Sequence, residues 1–182
     1  MVLKESAVTA EAFEQFIHEP QNADKRFELI NGRIVEMVSN DKSSEFAAFI
    51  LGLLMIFVRQ HKLGRITGAD GGYIVNGQRL IPDVAFISYE KKPKPESVAY
   101  YPVAPDLAVE VLSPSDQPAD VSVKLNHYQK SGTTIWLIDP EAKRVEIYRP
   151  QQTVVILGES DTLKAEGLLD GFTLSIKDIF NL

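Results

Sequence analysis

The sequence predicts an α/β (α+β) domain in which a mixed β-sheet is flanked by helices and preceded by an N-terminal β-hairpin. Short β-branched and aromatic runs, bounded by turn residues, recur along most of the chain. Two longer stretches, about 43–63 and 118–131, carry helical signals instead, and strands lie on both sides of each. With 182 residues, no internal repeat and no linker, one core over 1–182 is expected.

Residues 9–18 (TAEAFEQFIH) place Phe13, Phe16 and Ile17 at helical spacing, and Pro20 ends that helix. RFELI, Asn31-Gly32 and RIVEMV then form two β-prone runs about a two-residue turn, the strongest short-range hairpin signal. From about Ser43 to Leu63 only Gly52 interrupts, while His61, Lys62 and a capping Gly64 suit the negative end of a helix. Its run FAAFILGLLMIFV (46–58) falls short of the ~20 apolar residues that a membrane span needs, so no membrane association is expected. A helix apolar nearly all round must be covered on more than one side, by its own chain or by a second copy, and a homodimer is expected.

Strands follow at 65–67, 72–75 and 78–80, the last two joined by Asn76-Gly77, and then at 84–88. The Pro-rich, charged stretch 89–102 reads as a surface loop and DLAVEVL (106–112) as a strand. SPSDQPAD opens a helix in which Pro118 and Asp120 suit the first turn, Val121, Leu125 and Tyr128 recur at helical spacing, and Gly132 is the stop. TIWLID (134–139), RVEIYR (144–149) and TVVIL (153–157) are strands, and LSIKDIF closes the chain with a strand and a short helical turn.

Hydrophobic residues make up 45% and charged residues 24%, the composition of an ordinary folded domain. The absence of cysteine excludes disulfides, thiol catalysis, iron–sulfur clusters and thiolate zinc sites. A formal charge of −6 excludes a global positive field, so any surface for a polyanion must be local. Arg59, His61, Lys62 and Arg65, and separately Lys91, Lys92 and Lys94, are such local stretches, either phosphate contacts or a solvated face. MVLKESAVTAEAF has no apolar signal region or cleavage site, so a cytoplasmic location is expected.

No P-loop, GxSxG or HExxH occurs, and His18, His61 and His127 are not paired at ligand spacing. Carboxylates remain. Asp83 in LIPDVAFI and Glu110 in DLAVEVL are acids among residues that predict burial. Strand alternation puts Asp106, Ala108, Glu110 and Leu112 on one face and Leu107, Val109 and Val111 on the other. At ~3.3 Å per residue Asp106 is roughly 13 Å from Glu110, too far to share an ion, whereas a neighbouring strand lies about 4.8 Å away. If Asp83 sits on that neighbour, the pair suits a hard cation such as Mg²⁺; alternatively, Asp83 belongs to a turn and Glu110 pairs with a base across the sheet.

The succession FELINGRIVEM, IPDVAFI, PDLAVEVLSPSD and DVSVKLNHYQKSGTTIWLIDP, over about residues 24–150, resembles the Uma-two family of restriction-endonuclease-like proteins, a branch of the PD-(D/E)XK nuclease superfamily. The resemblance implies a restriction-endonuclease-like core and an endonuclease that uses Mg²⁺, with Mn²⁺ able to substitute, to hydrolyse phosphodiester bonds in DNA. It makes Asp83 and Glu110 the metal ligands, together with a backbone carbonyl beside Glu110. Leu112 stands where the superfamily has its lysine, which points to a migrated catalytic residue, Lys124, on the following helix. Glu28 matches a further acid of the family's site.

Each role has a plainer alternative: an i,i+4 ion pair with Asp120 for Lys124, a surface pair with Arg26 or Arg33 for Glu28, and packing for Tyr128. His127 has no metal partner in the sequence pattern. Ser43 and Ser44 stand where related sequences tend to have a histidine, a departure that keeps a second reading open, a nuclease fold serving as a binding or oligomerisation module with little or no cleavage.

Overall fold

The structure, a computed structural model, describes residues 7–38 and 40–181. Helix α1 (Ala10–Ile17) starts where the Thr9 side chain accepts the Ala12 N–H at 3.2 Å. It buries Phe13 against the hairpin of β1 (Phe27–Ile30) and β2 (Arg33–Glu36). Helix α2 (Asp41–His61) begins at an Asn40 cap, two residues earlier than the sequence suggests, and ends at Lys62, which takes the left-handed conformation at φ 54°. Strands β3 (Gly64–Gly68), β4 (Gly72–Val75), β5 (Gln78–Leu80), β6 (Val84–Ser88), β7 (Tyr100–Tyr101) and β8 (Leu107–Val111) lead to helix α3 (Pro118–Lys130). After it come β9 (Thr134–Asp139), β10 (Arg144–Tyr148), β11 (Val155–Gly158), β12 (Thr162–Lys164), β13 (Thr173–Ser175) and the short helix α4 (Ile176–Phe180).

The central sheet has the order β11-β10-β9-β8-β6-β3. Strands β8 and β9 run parallel, with α3 as the crossover, and the other neighbours run antiparallel. A second sheet, β2-β1-β5-β4-β7, includes Tyr100–Tyr101 from the stretch expected to be only loop, and β12 and β13 form a separate pair. Alternation divides the core in two. Val84, Phe86, Leu107, Val109 and Val111 face α2 and the C-terminal segment, while Ala85, Ile87 and Ala108 face α3 and the second sheet.

Helix α2 is not buried all round. Phe46, Ala47, Ile50, Leu54 and Val58 face the core, against β3, β6, β8 and α4, whereas Ile56 is 66% exposed. Among the described residues no helix is long and apolar enough to cross a membrane.

Gly64, expected as the helix cap, opens β3 instead. A Cβ there would lie 2.2 Å from the Ile87 carbonyl oxygen on the paired strand. Both Asn-Gly turns form as the sequence predicts, with positive φ at Asn31, Gly32, Asn76 and Gly77. His127 on α3 ties them together: its Nε2–H donates to Asn31 Oδ1 at 2.9 Å, and its Nδ1 accepts the Asn76 amide at 3.0 Å. That arrangement requires a neutral ring. Burial lowers the ring's pKa, and the positive charge of Lys130 lowers it further.

Two outcomes follow from these contacts. Gly64→Ala is expected to lose about 1–3 kcal/mol in urea denaturation, because backbone and not a flexible side chain must move. His127 binds fewer protons folded than unfolded between its lowered native pKa and the ordinary value of 6.5, so its contribution is present above that window and lost as pH falls through it. Wild type should therefore lose more stability between pH 7 and pH 5 than His127→Gln, and equal losses would show that the ring does not hold the turns.

Candidate active site

The end of the central sheet beside α3 collects four charged side chains from four segments. Antiparallel pairing of Val84 with Val109 sets Asp83 opposite Glu110, one step beyond the start of β6. Asp83 Oδ2 accepts the Val111 N–H at 2.7 Å. Glu110 lies on the Ala108 side of β8 and so points toward α3. Its Oε2 accepts a hydrogen bond from Lys124 Nζ at 2.8 Å and its Oε1 one from the Tyr128 hydroxyl at 2.8 Å. Lys124 and Tyr128 are one turn apart on α3, which is why a single helix face delivers both donors. Glu28, on β1 and 1% exposed, accepts the Ile81 N–H at 2.7 Å and pairs with Lys124 Nζ at 3.1 Å.

Charge balance sets the chemistry. Three carboxylates face one ammonium, a formal excess of two negative charges when all are ionised. Burial, reinforced by the Glu110 charge, pushes the Asp83 carboxyl up to about 7, and burial also raises Glu28 against the pull of Lys124. For Lys124 burial alone would favour the neutral amine, but Glu110, Glu28 and Asp83 outweigh it and hold the group protonated. Burial and the neighbouring carboxylates keep Tyr128 protonated as well, so it acts as a donor.

Glu28, Asp83, Glu110 and Lys124 line a cavity of ≈ 460 Å³ whose wall also includes Asn40, Ser43, Ser113 and Gln117, with Tyr128 buried behind it. At its rim Arg26 pairs with Asp70 at 2.5 Å and Arg33 pairs with Asp120. A divalent cation fits the donor set. Asp83 and Glu110 offer hard oxygen ligands from adjacent strands, and the Asp83 pKa, raised by burial and then by the Glu110 charge, is one that a bound cation would lower. Among the described residues no group of three or more His, Cys, Asp or Glu is spaced to hold a metal. Mg²⁺ does not require one, because it commonly takes one or two carboxylates and completes its shell with water and substrate phosphate.

Asp83, Glu110, Lys124 and Glu28, the residues singled out in the sequence, are thus brought together. The plainer alternatives for two of them are overturned. Asp120 pairs with Arg33 rather than with Lys124, and Glu28 is buried while Arg26 and Arg33 bind Asp70 and Asp120. Tyr128, read as packing, is fully buried yet bonded to Glu110, and the only signal for it was its i+4 spacing from Lys124. Ser43 donates its N–H to Asn40 Oδ1 at the start of α2. Asp106 accepts the Ser88 N–H and pairs with Lys91, apart from the cavity wall. The two basic stretches meet each other where Arg65 donates to the Lys92 and Pro93 carbonyls, and neither lines the cavity.

Comparison with known proteins bears on the family and the fold. The family model Uma2, described as "Putative restriction endonuclease", matches residues 10–177. Among solved structures, one described as "a putative nuclease belonging to DUF820" from Anabaena variabilis ATCC 29413 superposes with a TM-score of 0.81 at 25% identity. The match covers 92% of this chain and 96% of that one. No curated protein matches.

Lys124 is the structural hinge of the cluster. Lys124→Ala would leave two buried carboxylates facing each other and is expected to cost about 3–5 kcal/mol in chemical denaturation. A loss below ~1 kcal/mol, the surface-pair range, would contradict the burial seen here.

Proposed function

The chain belongs to the Uma2 family, with a restriction-endonuclease-like fold, and from that premise we propose that it is a Mg²⁺-dependent endonuclease that hydrolyses phosphodiester bonds in DNA. The single observation that carries the reading is the buried cluster of Asp83, Glu110 and Glu28 around one protonated Lys124 in an open cavity. Such a site is built for a substrate that is itself anionic and arrives with a cation.

Asp83 and Glu110, with a backbone carbonyl beside Glu110, would hold the metal, and Mn²⁺ could replace Mg²⁺ on the same oxygens. When bound, the ion supplies polarisation of the phosphate and acidification of a water molecule. The chain's own groups do the rest. Tyr128 fixes one oxygen of Glu110 so that the carboxylate keeps its orientation, and the Val111 N–H does the same for Asp83. Glu28 and Glu110 hold the Lys124 ammonium in one place. Its raised pKa rules it out as a proton acceptor near neutral pH. Its part is to donate hydrogen bonds to charge developing on the scissile phosphate and to orient the attacking water.

Nicking of supercoiled plasmid at low salt in Mg²⁺ or Mn²⁺ tests the reading. Asp83→Asn and Glu110→Gln, which keep side-chain shape, should lower the rate by about two orders of magnitude or more while the protein stays folded. Lys124→Arg keeps the charge but not the compact ammonium and should fail likewise. Tyr128→Phe should raise the metal concentration needed for half-maximal rate by about 10–100-fold. Lys143→Ala, at an exposed pair with Glu159, is the control. No cleavage of any nucleic acid in either metal would move the protein to the other reading, a binding module on a nuclease fold.

A further inference from the structure

Helix α2 presents a solvent face as ordered as its buried one. Directly opposite the side that carries Ile50, Leu54 and Val58 lies Gly52, where a Cβ would meet nothing within 4 Å. Glu45, Ala48, Ile56 and Arg59 share this face at helical spacing, all exposed, and Ile56 is the large apolar member. The chain's own cover of α2, from β3, β6, β8 and α4, lies on the other side.

The row is complementary to itself in one orientation. Glu45 and Arg59 stand seven residues before and after Gly52, and Ala48 and Ile56 stand four before and after it. If two copies of α2 cross antiparallel with a two-fold axis at Gly52, each Glu45 faces an Arg59 and each Ile56 faces an Ala48. The absent side chain at Gly52 lets the helix axes approach. A parallel pair would instead set Glu45 against Glu45 and Arg59 against Arg59, so the charges select the antiparallel arrangement.

We propose that this face of α2 is the interface of a homodimer, with the two helices antiparallel about Gly52. A consequence reaches the active site and rests on the nuclease reading above. Asn40 and Ser43, at the start of α2, belong to the cavity wall, whereas Arg59 and Lys62 are at the other end of a 21-residue helix, roughly 30 Å away at ~1.5 Å per residue. Antiparallel pairing brings that basic end of one copy to the cavity of the other. Each site thereby gains a cationic flank, the local positive surface that a chain of net charge −6 needs to hold a polyanion.

Sedimentation velocity of the full chain across about 1–100 μM tests the interface without reference to cleavage. Wild type should be a dimer, and Gly52→Leu, which adds a side chain in open space, should be a folded monomer. Glu45→Arg and Arg59→Glu should each weaken the dimer by roughly tenfold or more, and the double charge reversal should restore it. A wild type that stays monomeric, a dimer indifferent to Gly52→Leu, or a double reversal no better than the single ones would each overturn the proposal. For the flank, Lys62→Ala should leave the dimer intact and weaken binding of a labelled DNA duplex several-fold in Ca²⁺, and unchanged binding would remove the flank while leaving the interface standing.

Discussion

One ammonium group ties this fold together. Lys124 of α3 is held between Glu28 of β1 and Glu110 of β8, so a helix, the N-terminal hairpin and the central sheet meet at a single buried charge. Burying any of these groups alone would cost several kcal/mol, and mutual attraction rarely recovers more than that. The surroundings answer with directed hydrogen bonds, from the Ile81 N–H to Glu28 and from Tyr128 to Glu110. Among the described residues no buried side-chain polar atom lacks a partner. A cluster so fully bonded and still rich in negative charge is poorly explained as a stabilising device, because apolar side chains of the same volume would serve the core as well. That excess of negative charge is what the proposed function rests on.

The central sheet decides where that site can be. Its middle strands β6 and β8 are buried on both faces, and a charge at the centre of either would find neither water nor room. Asp83 immediately precedes β6 and Glu110 is the penultimate residue of β8, so both carboxylates sit where the ladder opens into the cavity. Small residues on the same face, Ala85 and Ala108, let α3 and the second sheet come close enough for Lys124 to reach. The His127 clamp on the two Asn-Gly turns fixes the hairpins against α3 one residue from Tyr128. Fold and candidate site therefore share parts, and the rigidity that the proposed chemistry would need is the rigidity of the core.

Local pairing also shapes the charge around the cavity. Arg26 and Arg33 are each matched to nearby carboxylates, which removes much of the positive field at the cavity rim, and Lys91 and Arg144 are matched likewise away from it. Basic groups accumulate instead beyond the end of α2, where Arg65 packs over Tyr89 and Lys92 over Tyr101. In the proposed dimer, position relative to the second copy, and not net charge, would determine what such a surface contributes.

Much of this was legible in the residues alone because short-range chemistry leaves local marks. The Asn-Gly turns, the alternation in DLAVEVL and the helical spacing around Tyr128 each depend on a few neighbouring residues, and each element formed as those residues require. For Asp83 and Glu110 the strand period states only which side chains share a face within one strand. That the two acids belong together was implied by the family resemblance, since neighbouring strands are not readable from spacing. What sequence could not reach were contacts between segments far apart in the chain. Nothing in the spacing shows that Glu28 is buried or that Asp120 turns to Arg33, since both depend on the docking of the hairpin against α3. Gly64 looked like a helix cap because its need for space comes from Ile87, more than twenty residues away. Tyr128 looked like core for the same reason. Burial is determined by residue type, but a buried hydroxyl becomes a functional donor only through the acceptor that tertiary packing sets beside it.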